Sequence, residues 1–145
     1  PKPETLADFA QQVHKEGCFI VGRKTFEAFR AGGGPNNPFA NIDIVVVSHT
    51  SEQMEGARVV RTPQEAIAYL ESKGHTTTLT SGGEQLHNSF LAAGLIDEVI
   101  FNIAPVMESK GLKLHLPEGS YGELNLLNCT PLGNGVVQLH YDLKK

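Results

Sequence analysis

The sequence predicts an α/β domain: a mixed, mostly parallel sheet with helices on both faces and a closing antiparallel hairpin. Three observations carry this expectation. Short apolar runs alternate with stretches of helical periodicity as far as Ile103. Cys18-Phe19-Ile20-Val21 is wholly apolar, as suits a strand buried on both faces rather than a half-exposed one. Near the end, Leu124 to Leu132 and Val136 to Leu143 flank Gly133-Asn134-Gly135, and Asn-Gly between two such runs signals a tight hairpin.

Taken in order, Thr5 with Asp8 three residues later resembles a capping box. Leu6, Phe9, Ala10 and Val13 then recur at helical spacing until Gly17 ends the run. The strand Cys18 to Val21 stops at Gly22 and leads into a short helix from Arg23 to about Phe29. Gly32-Gly33-Gly34-Pro35-Asn36-Asn37-Pro38 has the composition of a flexible exposed loop. Ile42 to Val47 is β-branched, and Arg58 to Val60 is a short extended piece.

Thr62-Pro63-Gln64-Glu65 combines an N-cap, proline at the first helical position and glutamate at the third, the clearest helix start in the chain. Ala66, Ile67 and Leu70 form its buried stripe, Lys73-Gly74 closes it, and Thr76 to Thr80 reads as a strand. Gly82-Gly83 opens another helix, whose Leu86, Phe90 and Ala93 face one way and whose stop is Gly94. Glu98 to Ile103, ending near Pro105, is the last strand before the hairpin.

Composition narrows the function. A chain of 145 residues, 40% hydrophobic, is one domain that needs neither disulfides nor a structural metal to hold a core. The net charge of −4, with no block of like charges, argues against a nucleic-acid face or a polybasic membrane tether. The apolar runs are far short of a bilayer span and the first residues show no signal peptide, so the cytoplasm is the expected compartment. Cys18 and Cys129 each sit in an apolar stretch outside any CxxC pair and read as buried free thiols. The six histidines form no ligand spacing, so no metal is expected. Ser81, before Gly82-Gly83, lacks the second flanking glycine that a nucleophile elbow requires.

Two junctions share a design suited to chemistry. In Phe19-Ile20-Val21-Gly22-Arg23-Lys24-Thr25 and Thr78-Leu79-Thr80-Ser81-Gly82-Gly83-Glu84-Gln85, a strand runs through glycine directly into a helix. Glycine lets a ligand approach the backbone, and the first helical turn offers unpaired N–H groups and the positive end of the dipole, which suit a phosphate. Taken alone, such a junction is more readily a tight connection whose glycine only relieves sterics. Arg23, Lys24 and Thr25 add the charge and hydroxyl expected for a phosphate monoester. Neither junction is a P-loop or a Rossmann fingerprint.

Gly22-Arg23-Lys24-Thr25-Phe26-Glu27, then Ser81-Gly82-Gly83-Glu84-Gln85-Leu86, Leu95-Ile96-Asp97-Glu98-Val99 and Ile103-Ala104-Pro105-Val106, resemble the dihydrofolate reductase-like superfamily. The branch they resemble most is the reductase domain of the bifunctional riboflavin-biosynthesis deaminase/reductase. The resemblance runs through nearly the whole chain, 1–145. It implies a dihydrofolate reductase-like three-layer fold and NADPH as cofactor. It further implies that Gly22, Arg23, Lys24 and Thr25 meet the adenosine 2′-phosphate and pyrophosphate side, that Ser48, His49 and Thr50 surround the adenine ribose, and that Gly82, Gly83, Glu84, Gln85 and Leu86, with Ser81, cradle the pyrophosphate. Basic residues beside a ribose favour NADPH over NADH.

The departures also carry expectations. The family's first strand, central in its sheet, has no counterpart before Pro1, so the chain is expected to be a fragment one strand short. Dihydrofolate reductase itself has an acidic residue early in its first helix; here Leu6 stands there, between Glu4 and Asp8. No proton donor can be assigned. The resemblance implies hydride transfer to a pteridine- or pyrimidine-type substrate, with the ribosylaminopyrimidine of riboflavin synthesis as one candidate. Dihydrofolate reductase proper and a non-catalytic NADPH-binding module stand as alternatives. A homodimer, formed through the hairpin's edge strand, is a further expectation.

Overall fold

The computed structural model describes residues 3–32, 39, 41–50, 53–81, 83–108, 118, 119 and 121–144. In chain order the elements are α1 (Pro3–Glu16), β1 (Cys18–Gly22), α2 (Arg23–Gly32), β2 (Asp43–Val47), β3 (Arg58–Val60) and α3 (Pro63–Ser72). They continue with β4 (Leu79–Ser81), α4 (Glu84–Ala92), β5 (Glu98–Ile103), β6 (Leu124–Gly133) and β7 (Val136–Leu143). The expected mixed sheet is divided in two. A parallel sheet runs in the order β3-β2-β1-β4, and an antiparallel sheet in the order β5-β7-β6. Among the described residues β4 pairs only with β1 and β5 only with β7, so each presents an open edge.

Strand β1 organises the parallel sheet. Its Cys18, Phe19, Ile20 and Val21 are all fully buried, and alternation sends them to opposite faces. Cys18 and Ile20 join Val45 and Val60 under Ala66 and Leu70 of α3 and Leu86 and Phe90 of α4. Phe19 and Val21 join Ile44 and Val46 under Val13 of α1 and Phe26 of α2. Phe9, Phe19 and Phe39 add edge-on and tilted ring contacts there, with centroids 5.2–6.4 Å apart. Helices therefore cover both faces, as the unbroken apolar pattern of β1 requires.

Local chemistry explains most boundaries. Thr62 caps α3 by accepting a bond from the Glu65 N–H at 3.1 Å, while the Glu65 carboxylate accepts from the Arg61 N–H at 3.0 Å, just outside the helix. The hairpin turns through Asn134 (φ 52°) and Gly135 (φ 82°), the paired positive values that a type I′ turn demands. A side chain on Gly135 would also meet Pro105 at 2.9 Å.

Several expectations are corrected. Helix α2 runs on to Gly32, beyond the anticipated stop at Phe29; the rest of that loop, 33–38, lies outside the described residues. Strand β4 begins at Leu79 rather than Thr76, since its pairing with β1 begins at Phe19 opposite Leu79; just before it the Thr77 carbonyl accepts from the Cys18 thiol at 3.3 Å. Ala93 is the exposed C-cap of α4 and not part of its buried stripe. Cys18 is buried as expected, and burial pushes its thiol pKa up, but Cys129 is exposed because β6 is an uncovered edge strand. No helix among the described residues is long and apolar enough to cross a membrane.

Replacing Thr62 by Ala removes the cap of α3 and should cost about 1 kcal/mol. Urea denaturation should show a lower midpoint at an unchanged slope.

Candidate functional site

The strand order 3-2-1-4 reverses direction between β1 and β4. In open parallel sheets the crevice beyond the carboxyl ends of the strands at such a reversal is where ligands bind. Both glycine junctions lie there. β1 runs through Gly22 into α2 on one face, and β4 runs past Ser81 to Gly83 and α4 on the other. Gly82 lies outside the described residues.

Register brings the remaining residues to the same edge. Gly22 pairs with Val47 and Val47 with Val60, so the three strands end level and Arg23, Ser48 and Arg61 follow them side by side. Ser48 is the buried polar residue of this region, 7% exposed. Its N–H donates to the Val60 carbonyl at 2.9 Å, its hydroxyl accepts from the Thr50 N–H at 3.4 Å, and its carbonyl accepts from the Arg61 guanidinium at 2.7 Å. Arg61 is therefore held with its charge beside Ser48. Residue-by-residue reading passed over it because it stands immediately before the Thr62 cap. The signal was its place just past the third parallel strand.

At the first junction α2 has no acidic residue in its opening turn, so Arg23, Lys24 and Thr25 reinforce its dipole for an anion. Arg23 reaches back to Glu27 at 3.3 Å, an exposed one-turn pair of the kind worth a few tenths of a kcal/mol and easily exchanged for a stronger partner. Lys24, His49 and Thr50 are exposed.

At the second junction Gly83 is the N-cap of α4 and supplies no side-chain bond to the opening N–H groups. Glu84 and Gln85 stand in that turn, but the Glu84 carboxylate repels an anion, which leaves its backbone N–H as the useful group. Leu86 is 6% exposed, so its side chain serves the core beside Cys18 and Ile20 rather than a ligand. A Cβ built on Gly22 or Gly83 meets nothing within 4 Å. That open space is what a phosphate needs to reach the backbone.

Other features lie elsewhere. An open groove of about 580 Å³ lined by Gln53, Met54, Glu55, Ala57, Arg58 and Val59 sits beside the beginning of β3, away from the strand ends, and holds none of these residues. On α1, Asp8 accepts from the Gln12 and Gln138 amides, each at 2.6 Å, and Glu4 accepts from the Asn134 amide.

The sequence matches the RibD C-terminal domain family over residues 2–138. The chain belongs to that family. No curated protein sequence matches it. Among solved structures, this RibD C-terminal domain superposes on a Shewanella sp. PV-4 protein assigned to riboflavin biosynthesis with a TM-score of 0.80 and 21% identity, covering 100% of this chain and 84% of that one. It superposes on form 2 of Acinetobacter baumannii RibD with a TM-score of 0.71 and 15% identity, covering 99% of this chain and 51% of that one. Form 1 of the same protein gives the same score and identity. The chain thus spans about half the length of the Acinetobacter protein, and at these identities the likeness is one of fold.

Because both glycines face open space, Gly22→Ala and Gly83→Ala should each fold and lose no more than about 1 kcal/mol in urea denaturation. A larger loss would show that the glycines serve the fold instead of a ligand.

Proposed function

We propose that this RibD C-terminal domain is an NADPH-dependent reductase of riboflavin biosynthesis that reduces a C=N or C=O bond of a ribosylaminopyrimidine-type substrate. Family membership supports the reductase reading. The observation that supports the choice of cofactor is the alignment of Arg23, Ser48 and Arg61 at the carboxyl ends of three adjacent parallel strands. Two guanidinium groups and a hydroxyl at one edge match a phosphate monoester, the group that distinguishes NADPH from NADH.

In this reading the residues divide the work of binding. The Ser48 carbonyl fixes Arg61, whose remaining N–H groups point charge at the 2′-phosphate together with Arg23. The Ser48 hydroxyl and the exposed His49 and Thr50 flank the ribose. The glycine-led starts of α2 and α4 take the pyrophosphate, and Lys24 adds long-range attraction. The bound nicotinamide supplies the hydride, and the chain contributes orientation and electrostatics. Asp8 and Glu4 are engaged by amides of the hairpin side, which weakens support for dihydrofolate reductase proper.

Calorimetry with both dinucleotides tests this directly. Losing a charge-assisted bond of about 1.5–3 kcal/mol should weaken NADPH roughly 10- to 100-fold in Arg61→Ala or Arg23→Ala, with NADH nearly unaffected. Equal losses for both dinucleotides would overturn the 2′-phosphate assignment. Binding of NADPH without its oxidation in the presence of the ribosylaminopyrimidine would favour a non-catalytic module.

A further inference from the structure

Helix α2 opens on cations and holds one acid. Arg23 and Lys24 begin it, no acidic residue stands in its first turn, and Glu27 is the carboxylate of the whole element. Cations at a helix N-terminus oppose the positive end of its dipole, so this start is destabilised until an anion comes to it. Glu27 supplies one from within the helix. Arg23 Nη1 donates to Glu27 Oε1 at 3.3 Å and to Oε2 at 3.4 Å, so a single guanidinium nitrogen is shared between both carboxylate oxygens.

The pair does little for the helix itself. A carboxylate one turn before a cation supports a helix, whereas here the cation comes first. Glu27 also lies beyond the first turn, where the pull of the dipole on a carboxylate has faded. Both contacts exceed the roughly 2.7–2.9 Å of a tight charge-assisted bond. The Arg23 side chain is 38% exposed and that of Glu27 51%, so water competes for each. Such a carboxylate holds the guanidinium loosely and yields to a stronger anion.

We propose that Glu27 is an internal competitor for the 2′-phosphate of NADPH and so sets how tightly, and for how long, the dinucleotide is held. The inference rests on the assignment of Arg23 to that phosphate. Glu27 and the phosphate call on the same guanidinium, so binding breaks the ion pair and leaves the freed carboxylate beside a second anion. Both effects subtract from the affinity of NADPH. NADH escapes them, because it carries a neutral hydroxyl in place of the phosphate. The carboxylate competes well despite its weak bond, since it is tethered four residues from Arg23 and stands there at high effective concentration. Glu27 is therefore a positioning residue that acts through Arg23. A reductase must release its oxidised cofactor in every turnover, and product release limits many enzymes, so a competitor built into the helix shortens the step at which a tight phosphate site would otherwise stall.

Calorimetry and dissociation kinetics of the intact chain with NADPH and NADH test it, using Glu27→Gln, Arg23→Ala and the double variant. Glu27 is exposed, so its replacement leaves the core intact and circular dichroism should not change. Removing an exposed ionic competitor should tighten NADPH about two- to fivefold and slow its release in proportion, with NADH unaltered. In the Arg23→Ala background the same replacement should gain less than about twofold, the non-additivity that a shared guanidinium demands. Unchanged or weakened NADPH binding in Glu27→Gln would overturn the proposal. An equal gain for NADH, or an equal gain without Arg23, would overturn it as well, since neither can come from competition for that guanidinium. Arg23→Ala alone separates this inference from the reading beneath it. If that variant loses NADPH selectively while Glu27→Gln gains nothing, the competitor role alone fails; if it shows no selective loss, the 2′-phosphate assignment fails and the competitor role with it.

Discussion

Strand β1 is covered on both faces and hydrogen-bonded on both edges, and the rest of the parallel sheet takes its position from it. Phe19 and Val21 anchor α1 and α2 on one side, while Cys18 and Ile20 anchor α3 and α4 on the other. A one-residue slip would exchange those sets and set each against the wrong helices, so the register is strongly specified. Once it is fixed, Gly22 must end level with Val47 and Val60, and Arg23, Ser48 and Arg61 must emerge together. The candidate site is thus a by-product of core packing, assembled from residues far apart in sequence.

What could be read beforehand follows the range of the interactions involved. Thr62 with Glu65, and Asn134 with Gly135, are decided within a few residues, and those boundaries were legible. So was β1, whose unbroken apolar run permits little else. The start of β4 was not, because it is set by pairing with β1, where Phe19 stands opposite Leu79 far away in sequence. Cys129 looked buried for a similar reason: its neighbours are apolar, and only the strand order reveals that β6 is an outer strand. Arg61 was missed at the site because its partner, the Ser48 carbonyl, is 13 residues back and comes near only through parallel pairing.

Charge in this molecule is local rather than global. The chain is acidic as a whole, yet its basic residues Arg23, Lys24 and Arg61 gather at the carboxyl edge of the parallel sheet, where helix dipoles act in the same direction. The antiparallel sheet shows the complementary case, with Glu98 engaged by His140 on the side whose Gln138 bonds Asp8 of α1, and no acidic residue on the other. Net charge alone would have hidden both.

The strand order has a consequence for synthesis on the ribosome. Phe19 acquires its outer neighbour Leu79 only after sixty further residues have been made, which takes roughly 3–12 s at about 5–20 residues per second. Until then the most apolar strand of the chain can pair with β2 alone, and with that only once Val47 has been made. Its other edge is open to any extended segment nearby, so the nascent chain depends on the arrival of β4 to close its own central strand.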